Sequence, residues 1–169
     1  MPKILVLDIE TAPMKMWGWG MWNQNPGLNQ IIEHTTILSY SAKFIGEDKV
    51  YYNDVRNEKD FRNDKDIVKE LVELINLSDF TLTQNGVKFD LPKIRYRALV
   101  HGLPAVKQTH EIDTLKIAKK FLGFDSNKLE HLTHTLCTKH KKLSHKKFAG
   151  FDLWDQCMKG NIIYTKRWN

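Results

Sequence analysis

A chain of 169 residues, 41% of them hydrophobic, is long enough for one domain with a buried core and too apolar to stay disordered. No apolar run approaches the roughly 20 residues that cross a bilayer, and the N-terminus lacks the apolar stretch and small-residue cleavage site of a signal peptide. Lys and Arg number 26 against 20 Asp and Glu, a net charge of +6 that is compatible with a polyanionic partner. A soluble cytoplasmic protein with no membrane partner is therefore expected. Its two cysteines, Cys137 and Cys157, are expected to be reduced thiols rather than a disulfide framework.

Ile4–Leu7 is a short unbroken apolar run ending at Asp8, which predicts a strand buried on both faces. Thr11-Ala12-Pro13 breaks it. Residues 14–30 carry Met14, Met16, Trp17, Trp19, Met21 and Trp22 among glycines and asparagines, with no single period, and predict a long aromatic loop. Ile37–Ile45 and Lys49–Val55 predict two strands joined by Gly46-Glu47-Asp48. From about Asn63 a helix is predicted, with Ile67, Leu71, Leu74 and Ile75 on one face and Asp64 and Asp66 favouring its positive end.

Phe80–Thr83 predicts a further strand, and Asn85-Gly86 a turn. A second helix is predicted after Asp90, with Pro92 in its first turn, Leu91, Ile94 and Ala98 on its apolar face and Gly102 at its end. Ile112–Leu115 leads into a third helix carrying Ile117, Ala118 and Phe121. A fourth follows Ser126-Asn127 with Leu129, Leu132 and Leu136, and a last amphipathic stretch after Gly150 carries Phe151, Leu153, Trp154 and Met158. Strands first, then helices mixed with strands, predict an α/β domain with a mixed sheet.

Asp8 and Glu10 lie two apart on a predicted strand, so both carboxylates project from the same face. Two like charges side by side favour a neutralising cation, and hard oxygen donors suit Mg²⁺ or Mn²⁺. A pair of exposed acids at a strand end is the alternative. Asp90 opens a helix, where, taken by itself, it reads first as an N-cap whose carboxylate is free to lean towards a site at the sheet edge.

Leu7-Asp8-Ile9-Glu10-Thr11-Ala12-Pro13 resembles the first motif of the DEDD-type (DnaQ-like) exonuclease superfamily, and Asn85-Gly86-Val87-Lys88-Phe89-Asp90-Leu91-Pro92 resembles its second. The two are correctly ordered and about eighty residues apart, which is more specific than either alone. Ile112-Asp113-Thr114-Leu115, Ser126-Asn127-Lys128-Leu129 and Gly150-Phe151-Asp152-Leu153-Trp154 are similar to segments of a phage and bacterial branch. The resemblance implies an RNase H-like mixed β-sheet flanked by α-helices, here as one exonuclease-like domain over 1–169. It also implies two divalent ions, Mg²⁺ or Mn²⁺, and hydrolysis of the terminal phosphodiester at a DNA 3′ end. Asp8 would bind both ions, Glu10 one, and Asp90 would complete the second ion's shell. Asp113 would support the site without binding metal.

The implied partner is DNA with a single-stranded or frayed 3′ end, and a replication protein or polymerase is a further candidate. The implied setting is the host cytoplasm if the chain is phage-encoded. Asn85 and Phe89 are expected to touch nucleic acid. Trp17, Trp19 and Trp22 are expected either to stack on unpaired bases or to cover a core edge. The lysine-rich, acid-free stretch 139–147, with Lys141, Lys142, Lys146 and Lys147, is either a phosphate-contacting loop or a solvated one.

The departure is the third motif, a Tyr or His followed four residues later by Asp. Tyr164 stands near the expected place, but Trp168 occupies the position of the acid. A truncated or altered end lacking the last motif-bearing helix, with weak or absent activity, is the expectation. A catalytically impaired nucleic-acid-binding domain and an RNase H-fold endonuclease are the alternatives. His131, His134, Cys137 and His140 recur every third residue, but in one continuous helix such positions drift around the axis rather than converge on zinc.

Overall fold

The computed structural model describes residues 2–139, 141–142 and 151–159. In chain order the strands are β1 (Ile4–Thr11), β2 (Lys15–Met16), β3 (Ile31–Glu33), β4 (Ile37–Phe44), β5 (Val50–Asp54), β6 (Phe80–Thr83) and β7 (His110–Asp113). The helices are α1 (Lys65–Asn76), α2 (Asp90–Val100), α3 (Thr114–Phe121), α4 (Leu129–Leu136) and α5 (Asp152–Met158). Five strands form a mixed sheet in the order β5-β4-β1-β6-β7. β5, β4 and β1 run antiparallel, whereas β1, β6 and β7 run parallel. With helices flanking the sheet, this is the arrangement of an RNase H-like fold.

Strand β1 is central but not buried on both faces, contrary to the expectation from its apolar run. Leu5, Leu7 and Ile9 are buried, while Val6 is 36% exposed and Asp8 and Glu10 are open to solvent. The alternation is that of a strand with one covered face, and Val6 hides it from the sequence because the open face also carries an apolar residue.

Helix α1 covers the buried face with Ile67, Val68, Leu71, Val72, Leu74 and Ile75, each contributing about 1.5–3 kcal/mol by leaving water. Helix α2 adds Leu91, Ile94 and Ala98. Further along, the apolar residues do less than the sequence predicts. In α3 only Ala118 is buried, with Ile117 and Phe121 exposed, and in α4 only Leu132 is buried. In and before α5, Trp154 and Met158 pack against the core while Phe151 stays exposed.

Asp66 sits in the first turn of α1, where its charge suits the helix dipole. Asp64 holds the N-cap position of the same helix but makes no side-chain cap bond. It turns inward and is fully buried. Its carboxylate accepts both arms of Arg97 at 2.8 and 2.6 Å, the Ile37 amide at 2.8 Å, and lies 2.6 Å from His101 Nε2. Burial alone would raise the Asp64 carboxyl, but Arg97, the Ile37 amide and His101 together hold it below its ordinary range. One side chain thus ties α1, α2 and β4.

Replacing Arg97 with Met leaves the Asp64 charge buried without its fork. Urea unfolding of Arg97→Met should show a loss of about 3–5 kcal/mol. A loss below 1 kcal/mol would mean that the pair does not brace the fold.

Candidate active site

Because β1, β6 and β7 are parallel, their C-terminal ends share one rim of the sheet, the usual place for a site in such folds. Asp8 and Glu10 stand there on the open face of β1, opposite Ser41 and Ser39 of β4. The pairing shifts register between Glu10 and Thr11, so the strand is re-aimed just past the second acid.

Asp90 arrives from β6 by a tight path. Asn85 takes a left-handed conformation, φ 69°, which asparagine tolerates. Gly86 follows, and a Cβ there would fall 2.4 Å from the Thr83 side chain, so only glycine fits. Asp113 braces this turn. It caps α3 through the amides of Leu115 and Lys116, and accepts the Asn85 amide at 2.9 Å and the Val87 amide at 3.4 Å. Helix α2 then begins at Asp90 itself. The residue before it, Phe89, is the N-cap and makes no side-chain cap, so Asp90 is not the cap that its position in the sequence first suggests.

The Asp90 carboxylate reaches across to β1 instead. The parallel ladder between β1 and β6 stops at Val6 and Leu82, and beyond it the Ile9 amide donates to Asp90 Oδ1 at 3.1 Å. Asp90 is 3% exposed. This contact sets the second acidic segment against the strand that carries Asp8 and Glu10. No side-chain pattern in the sequence signals it, because the donor is a backbone amide.

Charge links the three carboxylates unevenly: Asp8 raises both of the others, and Asp90 raises Glu10. Although its side chain is open to solvent at the tip, Glu10 is pushed from the ordinary 4.5 to about 7, first by loss of hydration around it and then by the Asp8 charge, with Lys142 opposing and Asp90 adding to it. Asp90 is pushed from 3.8 to about 6 by burial and by Asp8, against the pull of the Ile9 amide. Burial also raises Asp8, and Lys142 opposes this too. Of the three, only Asp90 is tied to the acid-bearing strand by a hydrogen bond, the one from the Ile9 amide. Among the described residues, no set of three or more His, Cys, Asp or Glu already stands arrayed to hold a metal ion.

The remaining candidate residues are spread around this rim. Asn85 is half-buried and Phe89 is 40% exposed. Lys141 and Lys142 are exposed, whereas Lys146, Lys147, Gly150, Tyr164 and Trp168 lie outside the described residues. The aromatic segment is partly ordered by β2 and β3, which form a small antiparallel ribbon. Trp17, Trp19 and Trp22 are 72, 96 and 79% exposed, so they do not cover a core edge. Two glutamines that the sequence reading overlooked shape this loop. Gln30 Nε2 donates to the Trp17 carbonyl and its Oε1 accepts the Gly27 amide, while Gln24 joins the Trp19 amide to the Trp22 carbonyl. Two glutamines within a glycine- and asparagine-rich segment were the available signal. His131 packs edge-on against Phe124, and His140 lies outside the described residues.

No family model matches the chain, and no curated protein matches it. The fold is similar to that of the family B DNA polymerase from the hyperthermophilic archaeon Pyrobaculum calidifontis, with a TM-score of 0.60 and 15% identity. The match covers 99% of this chain and 22% of that chain, so this chain spans about a fifth of the polymerase's length. At that identity the likeness shows the fold alone.

The raised carboxyls carry a stability consequence. Between pH 4.5 and about 7 the folded state keeps a proton on Glu10 that the unfolded state has lost, and Asp90 behaves likewise from 3.8 to about 6. Their contribution is therefore complete at low pH and lost as pH rises through these windows. With chelator present, the urea midpoint should fall across this range, and Glu10→Gln should flatten the fall. An identical pH profile for the variant would contradict the electrostatic picture.

Proposed function

We propose that the chain is a metal-dependent 3′–5′ exonuclease that hydrolyses phosphodiester bonds at DNA 3′ ends and turns over slowly. The observation that supports this reading is the Ile9 amide's hydrogen bond to Asp90 Oδ1, which sets Asp90 against the strand that carries Asp8 and Glu10. Such a group of hard oxygen donors fits Mg²⁺ or Mn²⁺. Two bound ions would neutralise the scissile phosphate, lower the pKa of the attacking water and stabilise the leaving 3′ oxygen.

The chain's own residues do the rest. The Ile9 amide engages Oδ1 of Asp90 and holds this carboxylate against the strand that carries Asp8 and Glu10. Glu10 and Asp90 must shed their protons to bind a cation, so metal affinity rises with pH. Lys142, close enough to act on both Asp8 and Glu10, offers its ammonium to a phosphate, and Lys141 stands beside it. Trp17, Trp19 and Trp22 present open faces to unpaired bases. Asn85 and Phe89 flank the approach to Asp90. The fold shared with a DNA polymerase supports DNA as the substrate and a replication protein or polymerase as a partner.

A second reading is a nucleic-acid-binding domain that keeps the fold and has little catalysis. The lack of a ready three-ligand array among the described residues favours it.

Incubation of 3′-labelled linear DNA and closed circular DNA with Mn²⁺ separates these readings. Slow release of 3′ mononucleotides is expected, stopped by chelator and reduced by Asp8→Ala by on the order of 10²–10³. DNA bound but never cut establishes the second reading, and nicked circles establish an endonuclease. Trp19→Ala should weaken single-strand binding by about 1–3 kcal/mol if a base stacks there, read by fluorescence titration. Unchanged affinity would remove Trp19 from the interface.

A further inference from the structure

We propose that the lysine face of α3, with the notch beside it, binds the phosphate backbone of a single strand that passes through the carboxylate site. The inference rests on the nucleic-acid reading above and adds a surface to it. Lys116, Lys119 and Lys120 are spaced i, i+3, i+4 and so share one side of α3. All three are exposed, and neither they nor Lys128 form an ion pair among the described residues. Residues 114–124 contain no acid. A helix stabilised by its own surface would pair such lysines with glutamates four residues away, and this one does not.

The helix also exposes apolar surface between its charges. Phe121 is 68% exposed, with Lys120 Nζ 5.0 Å above its ring. Cations interleaved with an open aromatic face suit a single strand, which offers phosphates and unstacked bases together.

The notch gives the surface a shape. It is lined by Gln84, Leu115, Lys119, Asn127 and Lys128. Gln84 Nε2 donates to the Asn127 carbonyl at 3.3 Å, while Asn127 Oδ1 is shut off from solvent with no partner.

The location joins the notch to the carboxylates. Gln84 is the first residue past β6, and the Thr114 hydroxyl donates to the Thr83 carbonyl at 3.0 Å. Asp113 bonds both α3 and the turn that leads to Asp90. Strands β1 and β7 are separated only by β6, so α3 starts roughly 10 Å from the strand that bears Asp8 and Glu10.

Binding of a fluorescent oligothymidylate, measured by anisotropy across a salt series with chelator present, tests the surface without hydrolysis. Lys119→Gln with Lys128→Gln should lower the slope of log affinity against log salt by about 1.4, at roughly 0.7 per phosphate contact on a single strand. The charge-matched control, Lys65→Gln with Lys69→Gln on the exposed side of α1, should leave the slope unchanged. Lys119→Gln alone should lower it by about 0.7. An unchanged slope in the notch variants, an equal fall in the control, or no binding by the wild-type chain would each overturn the proposal. So would tighter binding to phosphatidylserine vesicles than to the oligonucleotide, lost in the double variant. If the slope falls but no 3′ nucleotide is ever released, the surface stands and the exonuclease reading fails.

Discussion

The amide of Ile9 and the carboxylate of Asp90 close the gap that opens where β1 and β6 part. Up to Val6 and Leu82 the two strands satisfy each other. Past that point a backbone donor in the middle of the sheet needs a partner, because an unpaired buried amide costs about as much as a lost hydrogen bond. Asp90 supplies it, and in doing so brings a third carboxylate to a strand that already carries two. The constraint propagates outward. Asp90 reaches Ile9 only if the chain turns sharply after β6, which requires the left-handed Asn85 and a residue without a side chain at Gly86. Asp113 then holds that turn from β7.

Two groups of acids in this fold are treated in opposite ways. Asp64 lies deep in the core, yet Arg97, His101 and the Ile37 amide surround it, and its carboxyl is held below the ordinary range. Its charge is spent within the molecule, as a brace between helices. Asp90 and Glu10 lie beside other acids, and their carboxyls are pushed up to about 6 and about 7. Lys142 offsets only part of this. Repulsion is thus tolerated at one rim and neutralised in the core, a contrast in keeping with the proposed role of the rim.

Sequence periodicity read the elements well where packing is one-sided and local. The face of α1 and the shared projection of Asp8 and Glu10 follow from 3.6- and 2-residue repeats, and the structure places them so. It failed where the deciding contact is distant in the chain. Val6 reads as core, but its surroundings are set by which helices cross the sheet. Asp64 reads as a helix-start acid, but Arg97, 33 residues on, turns it inward. Asp90 reads first as a cap, and only the Ile9 amide decides otherwise. Ile117 and Phe121 read as an apolar face, yet no described element covers them. A hydrophobic pattern records what a helix could bury, not what is present to bury it.

The topology arranges the rim in a definite order. The ribbon of β2 and β3 leaves from the end of β1 and returns to the start of β4, so the three exposed tryptophans belong to the β1–β4 side. Helix α3 leaves from the end of β7, so its lysines belong to the opposite side, beyond β6. Asp8, Glu10 and Asp90 lie between. Aromatic faces on one flank and unpaired ammonium groups on the other are what a single strand needs, since its bases seek stacking and its phosphates seek cations. On the proposed reading, the carboxylates in the middle would repel that strand unless cations intervened, so metal binding and strand binding would be coupled by charge.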